Sequence, residues 1–349
     1  MNRNELIQRH SKDKLNVYRR YLETYLSVMT YAKFNSIFIV EPFAGCGKDI
    51  NGNVGSAVIA QKVARSEAFK PNIYLLFNDI NKIYCENLQK CLDTKDPYLK
   101  ITNEDANKTI NDALNQATPY SHQLFFIDPF GYTQIHGNTY NRLFGADRTD
   151  ILIFIPVYHI YRFLRKEIDD EQLKPIEAFL TMFGINENNV KGVRSWQEFA
   201  EHIRQGIKKV ANTEYVYKKE IKHETQNSGY CLFFLTKHIY GAEKFLEVLD
   251  GIEKKTPNLF QNIVDDQDDK LIRAIISTPQ LTNQGAYQLG IKLGYYKTRI
   301  TRVLRQLEDD GKIAVKEISK RHAKSFYIDH KYFREKSPRL EIIPKQNDK

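Results

Sequence analysis

The sequence predicts an α/β fold: a mostly parallel sheet covered on both faces, with an antiparallel hairpin at one side, followed by a small basic helical domain. Three observations predict it. Short apolar runs alternate with segments of helical spacing from Ile37 to Pro156. Two of those runs pass directly into chemically distinctive stretches, Glu41-Pro42-Phe43-Ala44-Gly45-Cys46-Gly47 and Asp128-Pro129-Phe130-Gly131-Tyr132. Of a formal net charge of +9, the segment 268–349 carries +8, with 18 Lys and Arg against 10 Asp and Glu.

Length and composition bound the problem. The 349 residues, 42% apolar, suffice for one α/β domain of roughly 200 to 260 residues plus an appendage. The longest apolar runs, such as Ile151 to Val157, fall far short of the roughly 18 residues a membrane helix needs, and the polar N-terminus lacks a signal-peptide core. A cytoplasmic protein without membrane association is expected. Cys46, Cys85, Cys91 and Cys231 form no CxxC pair and meet no His at zinc-ligand spacing. Neither a metal site nor a disulfide scaffold is expected from them.

Leu15, Tyr18, Leu22, Leu26 and Met29 recur at helical spacing and predict an opening helix beside the first strand. Strand 37–41, helix 55–66, strand 73–77, helix 81–92, a short strand at 98–101, helix 106–116, strand 123–127 and strand 150–156 follow. Residues 158–211 read as two or three helices carrying the single tryptophan, Trp196, and form an insertion. Segments 214–224 and 229–237 are β-rich and joined by Thr225-Gln226-Asn227-Ser228, which suits the hairpin. Helix 241–254 is expected to return across the sheet, and Asp265 to Asp269 to link the domains, with the boundary near residue 266.

Beyond it, helices 269–277, 283–293 and 295–309 lead to Gly311 and two short β runs, 312–318 and 325–329, a winged helix-turn-helix pattern over 266–335. In the third helix Ile300, Val303, Leu304 and Leu307 form the apolar face. Lys297, Thr298, Arg299, Thr301, Arg302 and Arg305 lie on other faces, where they would enter a major groove, and Lys320, Arg321 and Lys324 at the wing tip would reach phosphate. The competing reading is a charged module that docks protein. Residues 336–349 read as a solvated basic tail.

The two loops carry the chemistry. An open α/β sheet holds its ligand outside the carboxyl ends of its strands, so Glu41, Phe43, Gly45 and Gly47 are expected to approach a nucleoside cofactor. Asp79, ending the second strand, would accept a ribose diol, or else cap helix 81–92. Asp105 would take an adenine amine, or else cap helix 106–116. Asp128-Pro129-Phe130 resembles the Asp-Pro-Pro-Tyr turn of methyltransferases acting on base amino groups. Such an amine has its lone pair delocalised into the ring. A carboxylate and a main-chain carbonyl accepting its protons localise that pair toward an electrophilic sulfonium methyl, as in S-adenosylmethionine. Phe130 or Tyr132 would stack on the extruded base. The plain alternative is that Asp128 ends a buried strand and Phe130 fills core.

The residues resemble a bacterial group, the three-Cys-motif partner proteins, over about 8–250. The resemblance rests on Arg9-His10 and the long helix to Met29, Phe43-Ala44-Gly45-x-Gly47 followed by Gly55-Ser56-Ala57, Phe77-Asn78-Asp79, Ile127-Asp128-Pro129-Phe130-Gly131, and the strand Tyr230 to Lys237. It implies a Rossmann-like methyltransferase domain over 1–265, a C-terminal winged helix, and a three-cysteine, radical-SAM-like protein as partner. The family's Asp-x-Phe-Ala-Gly-Pro-Gly reads here with Glu41 and Cys46, and the second Pro and the aromatic residue of Asp-Pro-Pro-Tyr are Phe130 and Gly131.

Two functions follow. One is an S-adenosylmethionine-dependent methyltransferase acting on a nucleic acid, DNA in preference to RNA, with catalytic Asp128, Pro129 and Phe130. The other is a non-catalytic DNA-binding or partner-docking protein with the same fold. A nicotinamide oxidoreductase is disfavoured because no third glycine completes the dinucleotide fingerprint. His159 and His223 read as structural.

Overall fold

The computed structural model describes residues 9–32, 34–69, 72–164, 170–186, 190, 192–222, 229–255 and 266–345. The chain divides into two compact units, Met1–Lys237 and His238–Lys349.

The first unit opens with helix α1 (Arg9–Tyr31) and alternates through β1 (Ser36–Glu41), α2 (Ser56–Ala64), β2 (Ile73–Asn78), α3 (Lys82–Cys91), β3 (Leu99–Thr102), α4 (Ala106–Asn115), β4 (Ser121–Ile127), α5 (Gly137–Gly145) and β5 (Thr149–Ile155). Among the described residues the helices α6 (Val157–Leu164), α7 (Asp170–Met182) and α8 (Trp196–Ala211) follow, and then β6 (Val216–Lys222) and β7 (Gly229–Leu235). The strands form one seven-stranded sheet in the order β3-β2-β1-β4-β5-β7-β6. The first five pair in parallel; β7 runs antiparallel to both β5 and β6. The expected mixed sheet with its hairpin is therefore present, while the hairpin connection 225–228 lies outside the described residues. Helix α5 had no counterpart in the sequence reading. Its glycine-bounded segment GNTYNRLFG places Thr139, Tyr140, Leu143 and Phe144 on the buried face, too short an apolar stripe to stand out.

Burial explains the strand composition. Every residue of β4 and β5 is buried, as expected for central parallel strands covered on both faces, which read as continuous apolar runs. Helix α1 is held across the sheet by three buried tyrosines. Tyr18 donates to Glu41 at the end of β1 (2.7 Å), Tyr21 to Asp150 in β5 (2.7 Å), and Tyr25 bonds His122 in β4 (2.8 Å). Each buries a ring while its hydroxyl finds the polar partner that burial demands.

The second unit comprises α9 (Ile239–Lys255), α10 (Asp266–Ile276), β8 (Leu281–Thr282), α11 (Asn283–Leu293), α12 (Lys297–Asp309), β9 (Ile313–Glu317), α13 (His330–Phe333) and β10 (Leu340–Pro344). Helix α9 belongs to this unit, so the division falls at residue 238 rather than near 266. Its Glu243 explains why: it accepts the Tyr287 hydroxyl of α11 (2.6 Å) and pairs with Lys297 of α12 (3.1 Å). The antiparallel sheet has the order β8-β10-β9, which corrects two expectations. Residues 325–329 are a turn, with positive φ at Phe326 and Tyr327 and Phe326 fully buried as its anchor. The strand that pairs with β9 is instead Leu340–Pro344, inside the segment read as a solvated tail. Its alternation of buried Leu340 and Ile342 with the less buried Glu341 and Ile343 is a short period-2 signal masked by flanking charge. Among the described residues no helix is long and apolar enough to cross a membrane.

Candidate functional site

The strand order reverses between β1 and β4, which are adjacent although β1 connects to β2. In an open α/β sheet such a switch point is where ligands bind, outside the carboxyl ends of the strands. Glu41 is the last residue of β1 and Asp128 immediately follows β4.

The glycine loop after β1 is tightly determined. Gly45 and Gly47 have φ of +67° and +81°, the left-handed region that glycine enters without penalty. A Cβ on Gly47 would lie 3.0 Å from Leu88 and 3.1 Å from Cys91, whereas one on Gly45 would meet open space. Asp79 fixes the loop from below: its Oδ2 accepts the Gly45 N–H (3.1 Å) and its Oδ1 the Asn81 N–H (2.8 Å). The carboxylate is 2% exposed, so it serves as the anchor of the loop and not as an open ribose acceptor; Asn81 caps α3 in its place. Asn78 completes the brace. Its side-chain amide donates to the carbonyls of Pro42 (3.1 Å) and Glu104 (3.0 Å), and its oxygen accepts from Thr102 Oγ1 (2.8 Å) and Glu104 N–H (3.0 Å). Three successive loops are thereby tied by one fully satisfied side chain.

Around Glu41 and Asp128 lies a polar cluster inside an apolar wall. Glu41 is fully buried and accepts from Tyr18 (2.7 Å) and Ser56 (2.5 Å). Burial raises its pKa to about 7, opposed by the two hydroxyl donors and Lys14 and assisted by the Asp128 charge. Asp128 Oδ2 accepts from the ammonium of Lys14, which also sits 4.5 Å from the centre of the Phe154 ring. Phe154 stacks on Tyr230 (5.2 Å); burial first, and then the Asp128 charge, raises the Tyr230 pKa. His159 approaches the Tyr230 hydroxyl at 3.4 Å, and burial, helped by Arg162, lowers its pKa.

The other expected residues separate. Asp105 caps α4 through the Asn107 N–H (2.8 Å), its plainer reading. Phe43 packs against the core and Pro129 is buried. Phe130 is 53% exposed beside Asp128, and its N–H is held by Gln134 (2.7 Å). It does not fill core. Tyr132 turns inward against Phe179. Ile50, Ile80 and Ile83, each at least 60% exposed, follow the same strand ends and give the loops an apolar rim.

Of the basic residues in the second unit, Lys297 is enclosed by Glu243 (3.1 Å) and Asp329 (2.8 Å); although burial opposes its charge, these carboxylates lift its pKa. Arg299 and Arg302 both pair with Asp268, at 2.7 and 3.0 Å. Thr301 returns its hydroxyl to the Lys297 carbonyl, and Thr298 is exposed. Arg305, Lys320, Arg321 and Lys324 are exposed, and Arg305 Nε donates to the Lys324 carbonyl (2.6 Å).

Sequence reasoning missed Lys14, Tyr18, Ser56 and Tyr230 as site residues. The signal for the first two was present: Lys14, Tyr18, Tyr21 and Tyr25 share one face of α1, and tyrosines on a buried face require polar partners.

No protein-family model matches the chain, and no curated protein matches it. A solved structure, protein LPL1258 from Legionella pneumophila str. Philadelphia 1, described as family-model DUF519, is similar at 14% identity with a TM-score of 0.43, covering 68% of this chain and 91% of that one.

Proposed function

We propose that the chain is an S-adenosylmethionine-dependent methyltransferase acting on a base amino group of a nucleic acid, with a Rossmann-like catalytic domain and a C-terminal winged helix-turn-helix that binds the nucleic acid. The observation that carries this reading is the meeting, at the β1/β4 switch point, of a left-handed glycine loop with an Asp-Pro-Phe turn. The three-Cys-motif partner resemblance supports the same assignment.

The residues fit such a cofactor at the loop. Gly45 has open space where a side chain would stand, Asp79 and Asn78 hold the loop rigid, and the exposed Ile80 and Ile83 offer apolar surface to a purine ring. When bound, S-adenosylmethionine supplies an electrophilic sulfonium methyl. The rest belongs to the protein. Lys14 occupies Oδ2 of Asp128, leaving Oδ1 to accept an amine hydrogen and orient the nitrogen lone pair. Phe130 presents an exposed ring to an extruded base.

Titration calorimetry with S-adenosylmethionine and its demethylated product tests the reading, with Gly45→Val as the control for the loop. Saturable binding lost in the folded variant, followed by transfer of labelled methyl to DNA or RNA that Asp128→Ala abolishes, is the expected result. No binding to the folded, unaltered chain overturns it.

One observation favours a second reading. The Lys14 ammonium already stands on the carboxylate that a substrate amine would use, and Phe130-Gly131 replaces the Pro-Tyr of the methyltransferase turn. A partner-docking protein working with a three-cysteine, radical-SAM-like protein would bind cofactor without transfer. It is distinguished by an Asp128→Asn variant that leaves cellular function intact.

A further inference from the structure

The basic residues of the second unit divide into two groups by what they touch. On α12, Arg299 and Arg302 converge on the two oxygens of Asp268 from the first turn of α10. Arg299 also lies over the Tyr295 ring at 5.2 Å, and Lys297 is held between Glu243 and Asp329. Reading a base edge requires a guanidinium to present two N–H groups at once. Here Arg299 Nε and one terminal nitrogen of Arg302 are already committed to Asp268.

The loop between β9 and α13 is built the opposite way. Its main chain is braced: the Lys324 carbonyl accepts from Arg305 of α12 (2.6 Å), the Arg321 carbonyl from Tyr327 (2.8 Å), and the His322 N–H goes to Glu317 at the end of β9 (2.7 Å). The nearby acids are engaged as well, Glu308 with His322 (3.1 Å) and Glu335 with Arg339 (2.5 Å), whose guanidinium packs over Tyr327 and Tyr332. The side chains of Lys320, Arg321 and Lys324 remain exposed on that fixed loop, next to Arg305. A preorganised row of cations loses little entropy on meeting a phosphate backbone.

We propose that the phosphodiester backbone of a nucleic acid is gripped by the loop residues Lys320, Arg321 and Lys324, on a loop that Arg305 braces, and that Asp268 is an intramolecular competitor that withholds Arg299 and Arg302. This deepens the nucleic-acid reading above and rests on it. The contact is to phosphate and not to base edges, so binding is steep in salt and indifferent to sequence.

Fluorescence anisotropy of the full chain tests this with a short DNA duplex, a duplex of shuffled sequence and an RNA duplex, each across a salt series. The Lys320→Ala/Arg321→Ala/Lys324→Ala variant is expected to bind about tenfold or more weakly and to lose about 2.7 from the log-log salt slope, near 0.9 per phosphate contact. Arg302→Ala is expected to stay within about twofold of the unaltered chain, and Asp268→Ala to bind several-fold more tightly as both arginines are released. Thermal melts confirm that each variant is folded. Equal loss from Arg302→Ala and the loop variant, weaker binding by Asp268→Ala, or tenfold discrimination between the two DNA sequences overturns the inference while leaving nucleic-acid binding intact. Absence of binding by the unaltered chain to either DNA or RNA at low salt overturns the nucleic-acid reading itself. Comparison of the DNA and RNA arms identifies which backbone the loop takes.

Discussion

The ammonium of Lys14 and the carboxylate of Asp128, 114 residues apart in sequence, form an ion pair beside the carboxyl ends of β1 and β4. The two partners are unequally buried: 9% of the Lys14 side chain is exposed against 29% of Asp128. Helix α1 delivers the lysine, and the tyrosine row anchors that helix to the sheet. Fold and site therefore share one element.

The inequality gives an ordering. Lys14→Met leaves a carboxylate that water can reach, and costs about 1 kcal/mol. Asp128→Ala strands an ammonium against the Phe154 ring, and costs about 2 to 3 kcal/mol. The double variant recovers most of the larger loss, because neither charge is then left alone. Urea unfolding of the three variants measures this, and a costlier Lys14→Met contradicts the assigned burial.

Glu41 makes stability depend on pH. Its pKa is raised by burial from 4.5 to about 7 in the folded state, so the folded chain binds this proton more tightly than the unfolded chain. The contribution is fully present below pH 4.5 and is lost as pH rises through 7, an effect on the order of 3 kcal/mol at most. Glu41→Gln is expected to remove this fall between pH 5 and 8, leaving a flatter profile of melting temperature than the unaltered chain. An unchanged slope would show that Glu41 is not the titrating group.

The legible part of the molecule was the part written in local pattern. Strands β1, β2, β4 and β5 announced themselves as apolar runs, and α11 and α12 by spacing and turn residues; α12 matches residue for residue in its buried face of Ile300, Val303, Leu304 and Leu307. Of the candidate site, the positions legible in the sequence were those where loop and strand end coincide, with Gly45 and Gly47 at positive φ after β1 and Asp128 directly after β4. What stayed hidden depends on distant pairing. Nothing local to Asp79 says that its oxygens will hold the Gly45 N–H, 34 residues away, and nothing local to Arg299 or Arg302 says that Asp268 will neutralise them. Strand β10 was lost because charge on both sides outweighed two buried residues in a five-residue pattern.

Tyr21 and Tyr25 test the helix anchor. Tyr21→Phe leaves the Asp150 carboxylate, 3% exposed, without the hydroxyl that Tyr21 donates to it at 2.7 Å, and costs about 2 kcal/mol. Tyr25→Phe gives up a bond to a His122 ring nitrogen and costs about 1 kcal/mol. Denaturant melts should rank the two in that order. The reverse ranking would mean that Asp150 relies on other donors.

Gly45 and Gly47 separate the structural and binding duties of the glycine loop. Both have positive φ, so alanine at either position carries a backbone penalty of about 1 kcal/mol. At Gly47 the new methyl also meets Leu88 and Cys91 at 3.0 and 3.1 Å, both in a helix that cannot yield freely, adding about 1 to 3 kcal/mol of overpacking. At Gly45 the methyl enters open space. If that space belongs to the proposed cofactor, Gly45→Ala lowers the melting temperature by only a few degrees yet weakens S-adenosylmethionine binding about tenfold or more, a loss equivalent to about 1.4 kcal/mol. Gly47→Ala does the opposite in proportion, with a large drop in stability accounting for its loss of binding. Melting curves and calorimetry on the two variants decide it: a Gly45→Ala protein that is stable and binds as the unaltered chain does would remove the cofactor from this loop, whatever the second unit binds.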